Sequence, residues 1–344
     1  MKILIFGNVE KFKGREQSKI AQTIAKQGHK VYFVGNSISG LKSTDSFVYI
    51  CLPYHEYRFD FLRIDDKIDV VLGLHQSVVP FVADYRIKTR AKSYCLFLDF
   101  PAHIIDGKDW ANYDLTQSQV FYYWINCALE LDGIIFTSAI ASKEFYKRYK
   151  RQSFVLYYSA VSDNFIDREC SDYICGNNDL IAINGVDIGI ESIKLTPYAY
   201  EHIYYNSDPI QFDIIKDIAK SIPNKIKLYF RPDDKIKIIQ QSRLFLSCQH
   251  GQWLRNEYII ESLSAGVPAI CFDYPVLRDL YQDSVIYVKP FDFKKMTKQI
   301  IGLYEDIDYN KELGIVGHNH FMQRFEINRV VTNLLDILRG INET

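Results

Sequence analysis

The chain has 344 residues, of which 48% are hydrophobic and 24% charged, and its formal net charge is -1. This composition is that of a globular protein, and the length accommodates about two domains of ordinary size. The balanced charge excludes binding of nucleic acid through an overall field, so a ligand must be recognised in a defined site. The seven cysteines lack a metal-binding spacing, and their odd number without a secretory leader predicts a cytoplasmic protein.

In the first half of the chain, short apolar runs alternate with amphipathic segments, which is typical of a parallel α/β sheet. A helix is predicted over Glu16–Gln27, and Gly28 is a typical residue for the position that ends it. Strands are predicted at Lys2–Gly7, Lys30–Gly35, Phe47–Pro53, Asp69–His75, Ser93–Pro101, Asp132–Ser138 and Phe154–Ser159.

A polar stretch at 166–178 interrupts this pattern and is predicted to link two domains, 1–165 and 179–344. The alternation then resumes, with a helix at Asn256–Gly266. Strands are predicted at Asp179–Gly185, Lys225–Pro232, Ser242–Ser247, Val267–Asp273 and Ser284–Pro290. The predicted fold class is therefore α/β, with two Rossmann-like domains that face a cleft and present the carboxyl ends of their strands to ligands.

The segment NEYIIESLSAGVPAICFD (Asn256–Asp273) combines a helix that carries Glu261, a run of small residues, Gly-x-Pro and a buried strand. Four other segments occur in a matching order: GREQSKIAQTIAKQGHKVYFVG, LDGIIFTSAIASKEF, VLYYSAVSDNF and FEINRVVTNLLDIL. Together they resemble GT-B glycosyltransferases of family 4, whose helix with a carboxylate precedes Ala-x-Gly-x-Pro-Val. The resemblance covers most of the chain and implies that the last helix crosses back to the N-terminal domain.

The resemblance also implies transfer of a sugar, with retention and without a metal or cofactor, from a nucleoside-diphosphate-sugar donor to a glycan or lipid-linked acceptor. Glu261 is expected to accept both ribose hydroxyls, while the start of its helix faces the diphosphate. The other expected donor-binding residues are Arg231, Lys194, Gly14 and Arg255. The expected catalytic residues are Asp99, His103 and Glu257, with His75 as a further candidate at a strand end.

Two alternatives stay open. Trp253 stands where the family has an earlier glutamate, eight positions before Glu261, and this favours a GT-B-shaped protein that binds nucleotide or glycan without catalysis. An NAD-dependent oxidoreductase fits less well, because GNVEKFKG after the first strand lacks G-x-G-x-x-G. Asp306 and Asp308 spell a metal-binding motif of another glycosyltransferase fold, but their polar, helical context predicts a solvated helix cap.

The segment Lys143–Arg151 (KEFYKRYKR) alternates cations with aromatic residues. Such a helix is suited to peripheral contact with an anionic membrane at its inner, cytoplasmic face. The alternative is an ordinary solvated amphipathic helix, and it carries more weight on the sequence alone.

Overall fold

The structure is a computed structural model. It describes residues 1–7, 11–36, 40–53, 56–57, 60, 62–98, 115–159, 172–177, 186–204, 213, 216–217, 220, 222, 226–230, 235–248 and 257–341. The chain divides into two compact units, which are taken separately below. Unit 1 comprises Met1–Ala160 and Ile327–Thr344, and unit 2 comprises Val161–Glu326.

Unit 1 contains a parallel sheet with helices on both faces. Its strands are β1 (Lys2–Phe6), β2 (Lys30–Gly35), β3 (Phe47–Cys51), β4 (Val70–Gly73), β5 (Lys92–Phe97), β6 (Gly133–Phe136) and β7 (Phe154–Val155). Its helices up to residue 159 are α1 (Lys11–Lys26), α2 (Val79–Thr89), α3 (Leu115–Ala128) and α4 (Ala139–Tyr149). Among the described residues the sheet has seven strands in the order β3-β2-β1-β4-β5-β6-β7.

The central strands are buried on both faces, which explains why they are apolar runs rather than alternating patterns. In β1, the side chains of Ile3, Leu4, Ile5 and Phe6 are all fully buried. The parallel α/β prediction for this half of the chain is confirmed. The predicted start of the first helix is wrong, because α1 already includes Lys11, five residues before Glu16.

Unit 2 contains a second parallel sheet. Its strands are β8 (Tyr173–Asn177), β9 (Ala199–Tyr204), β10 (Ile226–Phe230), β11 (Leu244–Ser247), β12 (Ala269–Phe272) and β13 (Ile286–Val288). Its helices are α5 (Val186–Lys194), α6 (Lys235–Gln241), α7 (Glu257–Ser264), α8 (Pro275–Tyr281), α9 (Phe293–Glu305) and α10 (Ile307–Arg324). Within the described residues the sheet has six strands in the order β10-β9-β8-β11-β12-β13.

Two boundaries in unit 2 differ from the sequence-based expectation. The stretch 166–178 was expected to be an irregular linker, but its last part forms β8, which pairs with both β9 and β11. The strand predicted at Asp179–Gly185 lies outside the described residues. β9 has no counterpart among the predicted strands.

The last helix, α11 (Ile327–Arg339), belongs to unit 1 although it follows unit 2 in the chain. Its apolar face, which includes Val330 and Leu334, joins the same buried cluster as Ile3 of β1 and Ile24 of α1. The predicted return of this helix to the N-terminal domain is confirmed. In the described part of the chain, every helix is too short or too polar to cross a membrane.

Candidate functional site

In the described part of each sheet, the strand order reverses at one place. In unit 1 the strands that follow β1 are added on one side of it, as far as β3, and those from β4 onward are added on its other side. In unit 2 the same change of side occurs between β8 and β11. Parallel α/β sheets bind ligands at the carboxyl ends of the strands that flank such a reversal, because the connections leave on opposite faces and open a crevice. A ligand site is therefore expected at these two edges.

In unit 2, the helix that follows β11 at this reversal contains a buried acidic residue. Helix α7 follows β11, and its residue Glu261 is only 3% exposed, with Ile260 and Leu263 buried beside it in the same helix. Removing a carboxylate from water is costly unless its surroundings or a ligand compensate for the loss of hydration. A buried acid at the ligand-binding edge of a parallel sheet is therefore a functional candidate.

The charge of Glu261 acts on the neighbouring strand. Burial raises the pKa of the Cys175 thiol in β8 well above its ordinary value, and the negative charges of Glu201 and Glu261 raise it further. Glu261 therefore lies close enough to the paired strands β8 and β11 for its charge to act on Cys175. The strands are paired here, with Leu246 opposite Gly176.

A glycine and a tyrosine shape this junction. A Cβ atom at Gly176 would lie 1.9 Å from Oη of Tyr200, so the tyrosine occupies the space that a side chain on β8 would need. A Cβ atom at Gly189 of α5 would lie 3.8 Å from the same hydroxyl and 3.5 Å from Sγ of Cys248, which directly follows β11. The buried Tyr200 ring thus packs against β8 at Gly176, and its hydroxyl group reaches the first turn of α5 at Gly189.

Helix α7 packs against α10 near its C-terminal end. A Cβ atom at Gly314 would lie 2.3 Å from the carbonyl oxygen of Gly266, so the two backbones approach closely. His318 donates from Nδ1 to the carbonyl oxygen of Ser264, over 2.9 Å. Gly266 has a φ of +65°, and the predicted end of the helix at this glycine is confirmed.

In unit 1, a group of buried polar side chains lies after β4. His75 caps the short 3-10 helix Gln76–Val78, and its Nδ1 accepts a hydrogen bond from the backbone N–H of Ser77 (3.1 Å). Since Nδ1 accepts, the ring proton of neutral His75 is on Nε2, which makes this nitrogen a hydrogen-bond donor. Gln17 of α1 donates to the carbonyl oxygen of Leu74 over 2.8 Å and joins α1 to the same edge.

Two further polar side chains join β4 to β5 and β6. Gln76 Oε1 accepts from the backbone N–H of Leu98 (3.2 Å), and Thr137 Oγ1 donates to the carbonyl oxygen of Leu98 (2.7 Å). These contacts fix the position of the residue after β5, next to the predicted catalytic Asp99. The sequence-based prediction missed both contacts, although Gln76 directly follows the predicted strand Asp69–His75 and Thr137 is the second-last residue of the predicted strand Asp132–Ser138.

Of the predicted catalytic residues, the structure describes Glu257. It is the half-buried first residue of α7, and its spacing of four places it on the same face of the helix as Glu261, one turn away. Asp99 and His103 lie outside the described residues, as do the predicted donor-binding residues Arg231 and Arg255.

The two other predicted donor-binding residues are described. Gly14 was expected at the junction of a loop and a helix, but it is the fourth residue of α1, so the predicted junction is wrong. Lys194 is the last residue of α5 and forms an ion pair with Glu191, one turn earlier. Because β9 begins soon after it, Lys194 lies toward the amino edge of the sheet, away from the carboxyl edge at which parallel sheets bind ligands.

The Asp306–Asp308 motif has a structural role. The carboxylate of Asp306 accepts a hydrogen bond from the backbone N–H of Tyr309 (2.9 Å) and caps α10, as the sequence predicts. Among the described residues, no group of three or more His, Cys, Asp or Glu side chains is placed to hold a metal ion.

The comparisons with known proteins identify the fold. No protein-family model and no curated protein matches the chain. A glycosyltransferase from Rickettsia africae superposes with a TM-score of 0.75 at 14% identity, over 100% of this chain and 99% of that one. Sucrose-phosphate synthase from Thermosynechococcus elongatus gives a TM-score of 0.78 at 12% identity, over 99% of both chains.

A third structure carries ligands. Anabaena HepE, solved with UDP and glucose, superposes with a TM-score of 0.74 at 14% identity over 98% of this chain and 99% of that one. Such identities establish the architecture rather than the substrate. The chain therefore has the GT-B fold, which these glycosyltransferases share.

Proposed function

We propose that this chain is a glycosyltransferase that moves a sugar from a uridine-diphosphate donor to a glycan or lipid-linked acceptor. The observation that carries the proposal is the buried carboxyl group of Glu261 at the strand reversal of unit 2. The choice of base is supported by the likeness to HepE, which was solved with UDP and with UDP-glucose.

In this proposal Glu261 accepts hydrogen bonds from the ribose hydroxyls of the donor. Its burial favours the task, because a charge-assisted hydrogen bond is stronger where water is excluded. Glu257 faces the same way one turn earlier and contacts the donor sugar. The ribose and the sugar are thereby held by two acids on a single rigid helix.

The departing diphosphate is stabilised without a metal ion in this proposal. The N-terminal end of α7 carries a partial positive charge, and Arg231 and Arg255 add full charges. Gly14 and Lys194 are left out of the proposed donor-binding set, because Gly14 lies inside α1 and Lys194 lies toward the amino edge of its sheet, where it is paired with Glu191. No cofactor takes part, and transfer proceeds with retention.

The acceptor side of the proposal lies in unit 1. Asp99 and His103 are the proposed catalytic groups near the acceptor hydroxyl. A lipid-linked acceptor places the protein in the cytoplasm at the inner membrane face, with Lys143–Arg151 as a peripheral contact. An assay with a chelator checks the metal independence: transfer should be unchanged when divalent cations are removed.

The proposal is tested by calorimetric titration of UDP, GDP, ADP and NAD into the wild type and Glu261→Gln. We expect UDP to bind and the substitution to weaken it about 10- to 100-fold, the range for loss of a charged hydrogen-bond partner. Gln matches the size of Glu, and the unfolding temperature of each variant checks that the fold is retained. The control is Glu312→Gln, an exposed acid on α10 that should leave UDP affinity unchanged.

Binding of NAD alone, or UDP binding that is equal in the wild type and Glu261→Gln, would sink the assignment. UDP binding that depends on Glu261, without release of UDP from any UDP-sugar, would instead indicate a binding protein that lacks catalysis. Turnover therefore has to be measured alongside affinity.

A further inference from the structure

A strained turn joins β13 to α9 in unit 2. The backbone N–H of Asp292 donates to the carbonyl oxygen of Lys289 (3.1 Å), and Pro290 and Phe291 are the two central residues of the turn. Phe291 has a φ of +67°. Proline at the second position and a positive φ at the third define a type II turn, whose third position favours glycine or asparagine. A bulky phenylalanine at this position is strained, and the strain lowers the stability of the fold.

The position of Phe291 differs from that of the other strained residues. The three other described residues with a positive φ, glycines aside, each directly follow the last residue of a helix: Arg90, Lys150 and Gln282. A left-handed residue is common at such helix ends. Phe291 instead follows β13 and lies at the carboxyl edge of the sheet, where parallel sheets bind ligands. Backbone strain that persists at a ligand-binding edge points to a function for the strained residue.

The ring of Phe291 is displayed on an apolar support. It is 50% exposed, and its centroid lies 6.0 Å from that of Phe272, the fully buried last residue of β12. Phe272 in turn packs edge-to-face against the buried ring of Tyr274, with centroids 6.3 Å apart. The carboxylate of Asp292 fixes the other side of the turn, because it accepts from the backbone N–H of Lys295 (2.9 Å) and caps α9. The ring is therefore held in place before a ligand binds, which lowers the entropic cost of binding.

Polar groups lie close to this support. Asp273 directly follows Phe272 and forms an ion pair with Arg278, in which Nη2 donates to Oδ2 over 2.7 Å. Both side chains are partly exposed. Their donors and acceptors suit sugar hydroxyl groups, each of which can both donate and accept a hydrogen bond. A pyranose ring packs the C–H groups of one face on an aromatic ring and keeps its hydroxyl groups bonded to polar neighbours or water, so its chemistry matches this part of the edge.

We infer that Phe291 binds the sugar ring of the nucleotide-sugar donor by stacking on a C–H face of that ring. The inference rests on the proposed function, in which Glu261 holds the ribose and the start of α7 faces the diphosphate. In the sheet, β13 lies two strands from β11, a distance of about 10 Å. A hexose joined to a ribose through a diphosphate extends over a comparable length. The strain at Phe291 is then the cost of placing an aromatic ring where the sugar lies.

Calorimetric titration of UDP and of UDP-sugars tests the inference on the wild type and Phe291→Gly. The UDP-sugars are UDP-glucose, UDP-galactose and UDP-N-acetylglucosamine, and the one that the wild type binds most tightly is used. The ratio of its Kd to the Kd of UDP isolates the contribution of the sugar. We expect Phe291→Gly to raise this ratio about 2- to 10-fold, the range for an aromatic contact, and to leave the Kd of UDP unchanged.

The same variant should also be more stable than the wild type. Glycine adopts a positive φ without steric cost, so the unfolding temperature of Phe291→Gly should rise by about 2–4 °C. The matched control is Gln282→Gly, which relieves the same kind of strain (φ +47°) at the other end of β13, on the amino edge of the sheet. It should raise the unfolding temperature as well, but it should leave the Kd ratio at the wild-type value.

Two further variants separate the aromatic ring from its bulk. Phe291→Tyr keeps the ring and should keep the wild-type ratio of Kd values. Phe291→Leu keeps the strain and an apolar side chain but lacks a flat ring, so it should raise the ratio as glycine does. A leucine variant with the wild-type ratio would contradict stacking.

An unchanged ratio in Phe291→Gly, with UDP binding intact, would overturn the inference and leave the proposed function standing. A weaker affinity for UDP itself, with an unchanged ratio, would place the ring on the nucleobase and overturn the inference equally. A lowered unfolding temperature of Phe291→Gly with an unchanged ratio would show that the ring serves packing alone. Absence of UDP binding by the wild type would instead remove the proposed function and this inference together.

Discussion

At the scale of single residues, the packing of β8 against β9 in unit 2 depends on a glycine, Gly176. Gly176 leaves β8 bare where Tyr200 of β9 crosses it, and a Cβ atom there would lie 1.9 Å from the hydroxyl oxygen and 2.6 Å from Cζ of Tyr200. Real Cβ atoms do not approach other atoms so closely. The glycine is thus required by packing, since its φ is not in the left-handed region that favours glycine.

We expect Gly176→Ala to lower the free energy of unfolding by about 1–3 kcal/mol, the usual cost of overpacking. The ring is buried and cannot swing into solvent, so either β8 or Tyr200 must shift. Urea unfolding monitored by circular dichroism measures the change. The control is Gly302→Ala in α9, where a Cβ atom would meet nothing within 4 Å and where alanine should instead stabilise by about 0.5–1 kcal/mol.

Whether Tyr200 causes the loss of stability can be tested by making Gly176→Ala in variants that also change Tyr200. In Tyr200→Leu, which removes the hydroxyl and shortens the side chain, Gly176→Ala should cost much less. Tyr200→Phe should not give this relief, because the clash with Cζ persists. An equal cost of Gly176→Ala in all three backgrounds would contradict this account of the edge.

At the scale of elements, the position of α7 depends on its packing against α10. Two glycines of α10 allow the approach, but they face different groups. A Cβ atom at Gly314 would lie 2.3 Å from the backbone oxygen of Gly266, whereas one at Gly317 would lie 2.7 Å from Cδ2 of Leu263. The first group is part of the turn that ends α7, and the second is the end of a side chain that can change rotamer.

Gly314→Ala should therefore destabilise unit 2 more than Gly317→Ala does. Alanine gains about 1 kcal/mol of helix propensity at either position, but only at Gly314 must a backbone move. We expect a net loss of about 1–3 kcal/mol for Gly314→Ala. We also expect weaker UDP binding in that variant, because a shift of the Gly266 turn carries α7 and Glu261 with it.

Urea unfolding of both variants, with UDP titration, measures the two effects. Gly317→Ala serves as the matched comparison, since it adds the same methyl group to the same helix. A larger loss of stability or of UDP affinity in Gly317→Ala than in Gly314→Ala would contradict the proposed role of the turn.

At the scale of the whole molecule, the buried strands were predictable and the irregular edges were not. Apolar runs such as Lys2–Phe6 predict strands that are buried on both faces, and Gly28 and Gly266 indicate helix ends. β8 escaped prediction because its sequence, YICGN, is short, contains a glycine and is flanked by polar residues. It is a strand because it lies between β9 and β11, which the local sequence does not encode.

The candidate site divides in the same way. Glu261 could be proposed as a candidate from its segment, in which the helix, small residues and strand are contiguous. The contacts of Gln76 and Thr137 with Leu98 join residues 22 and 39 positions apart, so they depend on the order of strands in the sheet. The same holds for Gly176 and Tyr200, which meet only because β8 and β9 pair.

Each unit contains a histidine with a lowered pKa, and these two histidines should make the stability of the protein depend on pH. In unit 1, burial lowers the pKa of His29 below its ordinary 6.5, and the N-terminal amine and Arg339 lower it further. In unit 2, burial lowers the pKa of His320, which donates to the carbonyl oxygen of Leu280, and Arg324 lowers it further. In both cases the unfolded chain binds a proton more readily than the folded one.

The free energy of unfolding should therefore reach its full value above pH 6.5 and fall as the pH drops below 6.5. The carboxylates of Asp66, Asp132 and Asp273 have lowered pKa values, so they lose their contribution only as the pH falls below about 4. The interval between about pH 5 and pH 6.5 thus isolates the histidines.

Urea unfolding at the two ends of this interval tests the assignment. The wild type should be less stable at the acidic end. His29→Gln and His320→Gln should each remove part of that difference, and the double variant should remove most of it, because glutamine does not titrate and still offers an N–H group to Leu280. A double variant that keeps the full acid sensitivity of the wild type would place the responsible protonation elsewhere in the chain.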